Sequence, residues 1–399
     1  MKNKLLSILL AGICLICLWH TNAIPANAAS IVYTYSDMLW ADGDIFYIQS
    51  SDSGNSIWKF DTDTAKKTKL LTGEGSINIS YFNNKLYYSF YEDNETVTYT
   101  MTVNGKMKKK VCDGKCVYAD SKYVVYLRSE DSKTVVYKKN TITNYIVKIA
   151  SVDNAFDFVK NIGSTMYFYK TEQENGKIKL FSMKTNASKL TLLSTDKLTE
   201  EETSYFIPIC TDVICLNGNL YYQYGTYQGT GMYWNGTVKK IGADGKKKTV
   251  TKEMEDDTFY YDSTNIYYNS TGLSQNRIAY NTKTGKKTKY SAKVSETESY
   301  DILGSKTYVI DTKNTSKIEI SRFTSGTNRK NLRKNFITIP LKQNTKYSYY
   351  GTMKKLGSYY VIAIEVLDFT DYSYGWKGRL DSVKWYIADS SGKVIGNLQ

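Results

Sequence analysis

Histidine is almost missing from this 399-residue sequence: His20 is the sole one. It lies inside a stretch that reads as a leader. Lys2 and Lys4 precede an apolar run from Leu5 to Trp19, and Ala26-Asn27-Ala28 places small residues at a cleavage position. Residues 1–28 are therefore expected to be a signal peptide, and the protein to be secreted or associated with the cell surface. A mature chain starting near residue 29 has no imidazole. It cannot run Ser-His-Asp or Cys-His chemistry, and it cannot hold zinc through histidine. No later apolar run is long enough to span a bilayer, so no transmembrane anchor is expected after the leader is removed.

Other residue types are scarce in informative ways. Proline occurs 3 times. Arginine is confined to Arg128, Arg277, Arg322, Arg329, Arg333 and Arg379, so lysine carries most of the net charge of +14. Lysine is a point charge without the guanidinium fork that grips phosphates, and with export this makes nucleic acid an unexpected partner. Beyond the leader, four cysteines remain: Cys112, Cys116, Cys210 and Cys215. In an exported chain they favour the short-loop disulfides Cys112–Cys116 and Cys210–Cys215, although three connectivities are open. A zinc site built from all four thiolates is the alternative. No Gly-rich phosphate loop, nucleophile motif or metal-ligand spacing is present, so neither a cofactor nor a metal is expected.

Tyrosine, by contrast, is abundant at 37 residues. Much of it falls in a repeat. A turn, an apolar residue and an aromatic pair recur in "FNNKLYYSFYE" (82–92), "GSTMYFYK" (163–170), "NGNLYYQYG" (217–225) and "DSTNIYYNS" (262–270). Aligned on the pair, the units fall at Phe46-Tyr47, Tyr87-Tyr88, Val125-Tyr126, Tyr167-Phe168, Tyr221-Tyr222, Tyr267-Tyr268, Tyr308-Val309 and Tyr360-Val361. Their spacing of 38 to 54 residues suits a four-stranded propeller blade. Within a unit, strands A and B join through a tight Asn- or Gly-containing turn. Strands C and D join through steps such as "VNGKMKKKV" and "NTKTGKKTKY". The expectation is an all-β chain: a single β-propeller over 29–399 with about eight four-stranded blades, seven being the alternative, working as a monomer. Residues 31–35 are a candidate closing strand. Successive side chains of a strand point to opposite faces, so each pair would give one large residue to each neighbouring blade.

Ile266-Tyr267-Tyr268 followed by "YNTKTGK" (280–286) is similar to secreted Gram-positive β-propellers of unassigned function, and more distantly resembles the YWTD-type propellers of lipoprotein receptors. The resemblance spans nearly the whole mature chain and implies the fold class. It implies no activity, and no literal YWTD tetrapeptide occurs.

Loop composition supplies the candidate sites. Two B–C connections are long and mix glycine with aromatics. Tyr224, Tyr227, Tyr233 and Trp234 belong to one, and Phe369, Tyr372, Tyr374 and Trp376 to the other. Flat amphipathic rings on a rigid blade are a means of binding sugar rings or peptide side chains. The C–D turns carry lysine: Lys66, Lys67, Lys108, Lys109, Lys246, Lys247, Lys286 and Lys287 would form a rim able to hold an anionic polymer by screened charge. On these features the expected function is a non-catalytic binding or scaffold module for an extracellular glycan, a cell-wall polymer or a protein. The alternative is a carboxylate-dependent glycan-active enzyme using 365–381, where Glu365, Asp368, Asp371 and Asp381 cluster among aromatics.

Overall fold

In the computed structural model, the two-sided demand on strand B organises every blade. The structure describes residues 33–398 apart from 36–37, 52–53, 74–76, 93–94, 154–155, 199–206, 228–232, 255–258, 270–275, 292–297, 304–305, 315, 325–331, 342–346 and 369–378. Eight antiparallel sheets follow one another along the chain, each built from consecutive strands A to D, and they are arranged as an eight-bladed β-propeller. The blades span 38–73, 77–113, 115–153, 156–197, 207–254, 260–291, 298–340 and 347–397. Among the described residues the one helical element is a 3₁₀ turn, Gln173–Asn175. By packing, the chain forms two compact units. One is Gly75–Phe259 with Ser263–Thr288; the other is Ser30–Glu74, Tyr260–Asp262 and Lys289–Gln399.

The aromatic pairs are buried throughout: all sixteen residues named above are at most 7% exposed. In the first unit the pair divides between two seams, as the alternation requires. Tyr221 packs with Val250, Phe259 and Tyr268 between blades 5 and 6, whereas Tyr222 packs with Tyr167, Leu180 and Val213 between blades 4 and 5. Phe168 turns the other way from Tyr167 and joins Val125 and Phe156 between blades 3 and 4. Burying one such side chain is worth roughly 1.5–3 kcal/mol, and each seam contains several. Blade 8 corrects the alignment by one residue. Tyr360 packs with Tyr308 and Ile362 against blade 7, while Tyr359 and Val361 face blade 1, so the structural pair is Tyr359-Tyr360.

Hydroxyl groups add polar ties inside these seams. The Tyr308 and Tyr360 hydroxyls lie 2.8 Å apart. Tyr222 donates to Asp196 Oδ2 at 2.6 Å and lies 2.8 Å from Ser194 Oγ. Lys239 Nζ stands 3.5 Å from the other carboxylate oxygen, so the buried Asp196 is compensated by three groups from blades 4 and 5.

The second unit contains the junction of the last blade with the first. Tyr33–Tyr35 pairs with Met38–Ala41 as a fifth strand of blade 1, so it does not complete blade 8, which has four strands of its own. Side chains make the junction instead. Met38, Tyr47, Phe60, Leu356 and Ile387 share one cluster, and Tyr359 donates to Thr62 Oγ1 at 2.9 Å. Gly357 has φ +61, and a Cβ there would lie 2.4 Å from Trp40 Cδ2, so both the turn and the indole require glycine.

The C–D turns have an organiser that the Gly-Lys steps do not reveal. Asp61, Asn140 and Asn281 end their C strands, and each side-chain oxygen accepts two backbone N–H groups within the turn. The threonine that follows reaches back to the A–B turn of its own blade: Thr62 to Gly43 O, Thr141 to Ser121 O and Thr282 to Thr264 O, at 2.6 to 2.8 Å. The hydrogen bonds from Thr64, and then that from the Asp63 N–H, hold the Asp61 carboxyl below its ordinary range.

The buried phenols make stability depend on alkaline pH. Burial pushes Tyr47, Tyr87, Tyr118 and Tyr126 up to about 12, against about 10 in an unfolded chain. Between those values the unfolded state binds fewer protons than the folded one, so stability falls as pH rises. Denaturant melts should show constant stability up to about pH 9.5 and a steep loss between about pH 10 and 12, with phenolate absorbance appearing together with unfolding. Phenolate forming while the fold persists would contradict the burial.

Candidate functional site

Strand alternation decides the fate of the aromatic loop in blade 5. Strand B, Asn219–Tyr227, and strand C, Tyr233–Ile241, extend the hairpin until Tyr227 lies opposite Tyr233 and Thr226 opposite Trp234. The connection itself, 228–232, lies outside the described residues. Tyr224 is a correction. It shares a strand face with Leu220 and Tyr222 and is 4% exposed in the seam between blades 4 and 5, so it is wall rather than binding platform. Phe369, Tyr372, Tyr374, Trp376 and Asp371 lie outside the described residues.

The flanks of that second loop place three acidic residues on two adjoining strands. Strand B of blade 8, Tyr359–Asp368, carries Glu365 and ends at Asp368; strand C, Arg379–Ala388, carries Asp381. Asp368 lies opposite Arg379, and Glu365 opposite Val383. Asp381 falls at a β-bulge, where Val366 opposes Ser382 and Leu367 opposes Leu380. Adjoining strands lie ~4.8 Å apart with a rise of ~3.4 Å per residue, which places the Asp368 and Asp381 backbones on the order of 8 Å apart. Glu365 is half-buried and has no cationic partner among the described residues.

A second polar constellation went unnoticed in the sequence. It runs along the inner strands of blades 3 to 5. Strand A has an extra residue in each of these blades: Val117, Val159 and Thr211. The bulges re-aim the residues beside them. Lys160 and Asp212, which follow the bulge in their own blades, meet at 2.9 Å. Asp212 also accepts N–H bonds from Val213 at 2.8 Å and Phe259 at 3.0 Å. Lys115 and Asp157 meet at 3.3 Å. The two pairs differ in environment. The Lys115 and Asp157 side chains are 45% and 46% exposed, whereas Asp212 is 7% exposed. Asp212 therefore ties blades 4 and 5 to the segment that leads into blade 6, and Asp157 is available to solvent. The visible signal was a charge inside otherwise apolar strands, as in "FDFVKNI" and "ICTDVIC".

The eight rim lysines Lys66, Lys67, Lys108, Lys109, Lys246, Lys247, Lys286 and Lys287 are all exposed, and Lys246 pairs with Asp244 at 3.4 Å. The cysteines depart from expectation: all four are free thiols. Cys210 and Cys215 share one extended strand, Ile207–Leu216. That sets their Cα atoms roughly 13–16 Å apart, against the ~7 Å limit for a disulfide. Cys112 and Cys116 pack in one cluster between blades 2 and 3, but their thiols donate to different carbonyls, Gly114 O and Tyr118 O. A four-thiolate zinc site is not assembled, since Cys210 belongs to the seam of blades 4 and 5. Among the described residues no three metal-ligating side chains converge.

No family model matches the chain, and no curated protein matches it. Solved structures do. A dipeptidyl peptidase 4 from Porphyromonas gingivalis is 9% identical with a TM-score of 0.50, over 93% of this chain and 59% of that one. A prolyl endopeptidase is 12% identical with a TM-score of 0.49, over 85% of this chain and 55% of that one. The tricorn protease is 12% identical with a TM-score of 0.29, over 90% of this chain and 44% of that one. The chain thus spans little more than half the length of the first two. The likeness establishes a shared propeller fold. The structure with a TM-score of 0.50 is a peptidase by name and not a glycan-binding module, so the expectation of a non-catalytic module for a glycan, wall polymer or protein is withdrawn.

Two outcomes follow from this geometry. Asp212→Ala leaves two buried N–H groups unbonded and should cost about 2–4 kcal/mol in a denaturant melt, whereas Asp157→Ala should cost under about 1 kcal/mol. Equal losses would contradict the difference in burial. Thiol titration should find Cys112, Cys116, Cys210 and Cys215 all free in the unfolded protein. In the native protein Cys112, Cys116 and Cys210 should resist alkylation, because burial raises all three thiols, Cys112 to about 12.

Proposed function

We propose that this chain is an exported enzyme that cleaves peptides by carboxylate chemistry at the flanks of the B–C loop of blade 8. The observation that carries the reading is the fold likeness, over 93% of the chain, to a dipeptidyl peptidase 4. The lack of histidine beyond His20 removes imidazole mechanisms and leaves paired carboxylates as the available acid and base. Glu365, Asp368 and Asp381 supply such a group on two adjoining strands, with Asp371 in the connection between them. Two carboxylates close together share one proton. The ionised member takes a proton from water as the water attacks the peptide carbonyl, and the protonated member hydrogen-bonds the carbonyl oxygen as negative charge develops; on collapse the C–N bond breaks and the proton taken from water passes to the leaving amine, which returns the pair to its starting state. Export rests on the leader at 1–28, and N-terminal sequencing of the protein recovered from culture medium should begin near Ala29.

The test is hydrolysis of a quenched-fluorescent peptide library by the purified mature chain between about pH 4 and 9. Turnover should peak below neutrality and fall about 100-fold or more in Asp368→Asn and Asp381→Asn, with folding unchanged. No cleavage across that range, or full turnover in both variants, overturns the reading.

A further inference from the structure

One C–D hairpin breaks the lysine pattern of its siblings. In blade 3 the turn reads Asn140 to Ile146, "NTITNYI", with no lysine. It presents apolar side chains to solvent instead: Ile142 is 75% exposed, Tyr145 69% and Ile146 47%. The exposure is not a product of a loose turn. Asn140 Oδ1 accepts from both Ile142 and Thr143, Asn140 N donates to Tyr145 O, and Thr141 is tied to Ser121 O. The hairpin therefore holds its apolar residues outward at a cost in hydration that no contact within this unit offsets.

A cleft opens beside it at the seam with blade 2. Its volume is about 290 Å³. Ile146 and Lys139, which oppose each other across strands C and D, form one wall; Lys110 and Val111 form the other; Cys112 and Tyr126 form the floor. Lys139 Nζ bridges the walls by donating to Val111 O at 3.0 Å. The space suits one bulky side chain and is too small for a drug-sized molecule. The charge around it has one sign. Lys106, Lys108 and Lys109 are exposed and have no acidic partner among the described residues. Asp113, the acid at the cleft, is already paired with Lys110 at 2.6 Å.

We propose that this seam is a docking surface for an acidic peptide segment bearing one bulky apolar side chain. The apolar side chain enters the cleft and packs on Ile146 and Tyr145. The flanking carboxylates meet Lys106, Lys108 and Lys109. Apolar anchor and charged surround divide the work in the usual way, the first setting residence and the second setting approach and salt dependence. The surface uses none of the blade 8 carboxylates, so the proposal does not rest on peptide cleavage there.

The test is fluorescence anisotropy with the mature chain and a labelled peptide in which one phenylalanine is flanked by glutamates. Control peptides replace the phenylalanine by serine or the glutamates by lysines. Each titration is repeated with the Asp368→Asn/Asp381→Asn double variant, so that cleavage of the probe does not enter. The phenylalanine peptide should bind, and its affinity should fall about tenfold or more in Tyr145→Ser/Ile146→Ser and in Lys108→Glu/Lys109→Glu. Both double substitutions fall on exposed side chains, and melts should confirm intact folding. Equal binding of the serine peptide, with no effect of the apolar substitutions, would reduce the surface to charge attraction and overturn the proposal. No binding of any peptide would overturn it as well. Self-association abolished by Tyr145→Ser/Ile146→Ser would also overturn it, assigning the surface to a second copy of this chain.

Discussion

Every blade depends on a second strand that must be apolar on both faces. An antiparallel sheet usually has one dry face and one wet face, and its strands alternate accordingly. A propeller blade is covered on both sides by its neighbours, so strand B cannot alternate. Two adjacent large residues are the shortest answer, and tyrosine meets the demand with a flat body and a polar tip. The tip is not always accommodated. Tyr308 and Tyr360 bond to each other and Tyr222 bonds to Asp196, but the hydroxyls of Tyr47 and Tyr221 have no hydrogen-bond partner among the described residues. Burying an unpaired hydroxyl costs about 1–3 kcal/mol. The chain retains these tyrosines because the area they bury in the seam is of the same order of worth.

Filled seams restrict where chemistry can occur. Side chains on strands B and C are committed to packing, as Tyr224 shows. The positions left over are the ends of strands, the connections and the inner strands. The inner strands of blades 3 to 5 use that freedom for charge, and bulges at Val117, Val159 and Thr211 turn the charged residues toward one another. The result is part structure and part opportunity. Asp212 is consumed by Lys160 and two backbone N–H groups, whereas Asp157 meets Lys115 in the presence of water.

The repeat was legible because its cause is local. Turn residues with positive φ, such as Asn83 and Asn84 or Asn217 and Gly218, mark the A–B hairpins, and the aromatic pair marks strand B. Blade 8 was misaligned by one residue because Tyr359, Tyr360 and Val361 are all acceptable in strand B, and only the partners across the seam decide the register. The disulfides failed for a related reason. Sequence spacing gives the number of residues between two cysteines but not whether the backbone between them is folded or extended, and Cys210 and Cys215 lie along one extended strand. The inner charge row was illegible because its members are 42 and 52 residues apart, and nothing local predicts that they meet.

The same argument separates the carboxylates and bears on the peptide cleavage proposed above. Such chemistry needs a carboxyl group that holds a proton beside one that does not. A carboxylate whose oxygen is already held by an ammonium is not free to bond a substrate. Asp157 and Asp212 are both in that position. Glu365 is not: it is half-buried, without a cation beside it among the described residues, and it shares a strand with Asp368 and a neighbour strand with Asp381. The inner row is thus better read as a device that holds blades together.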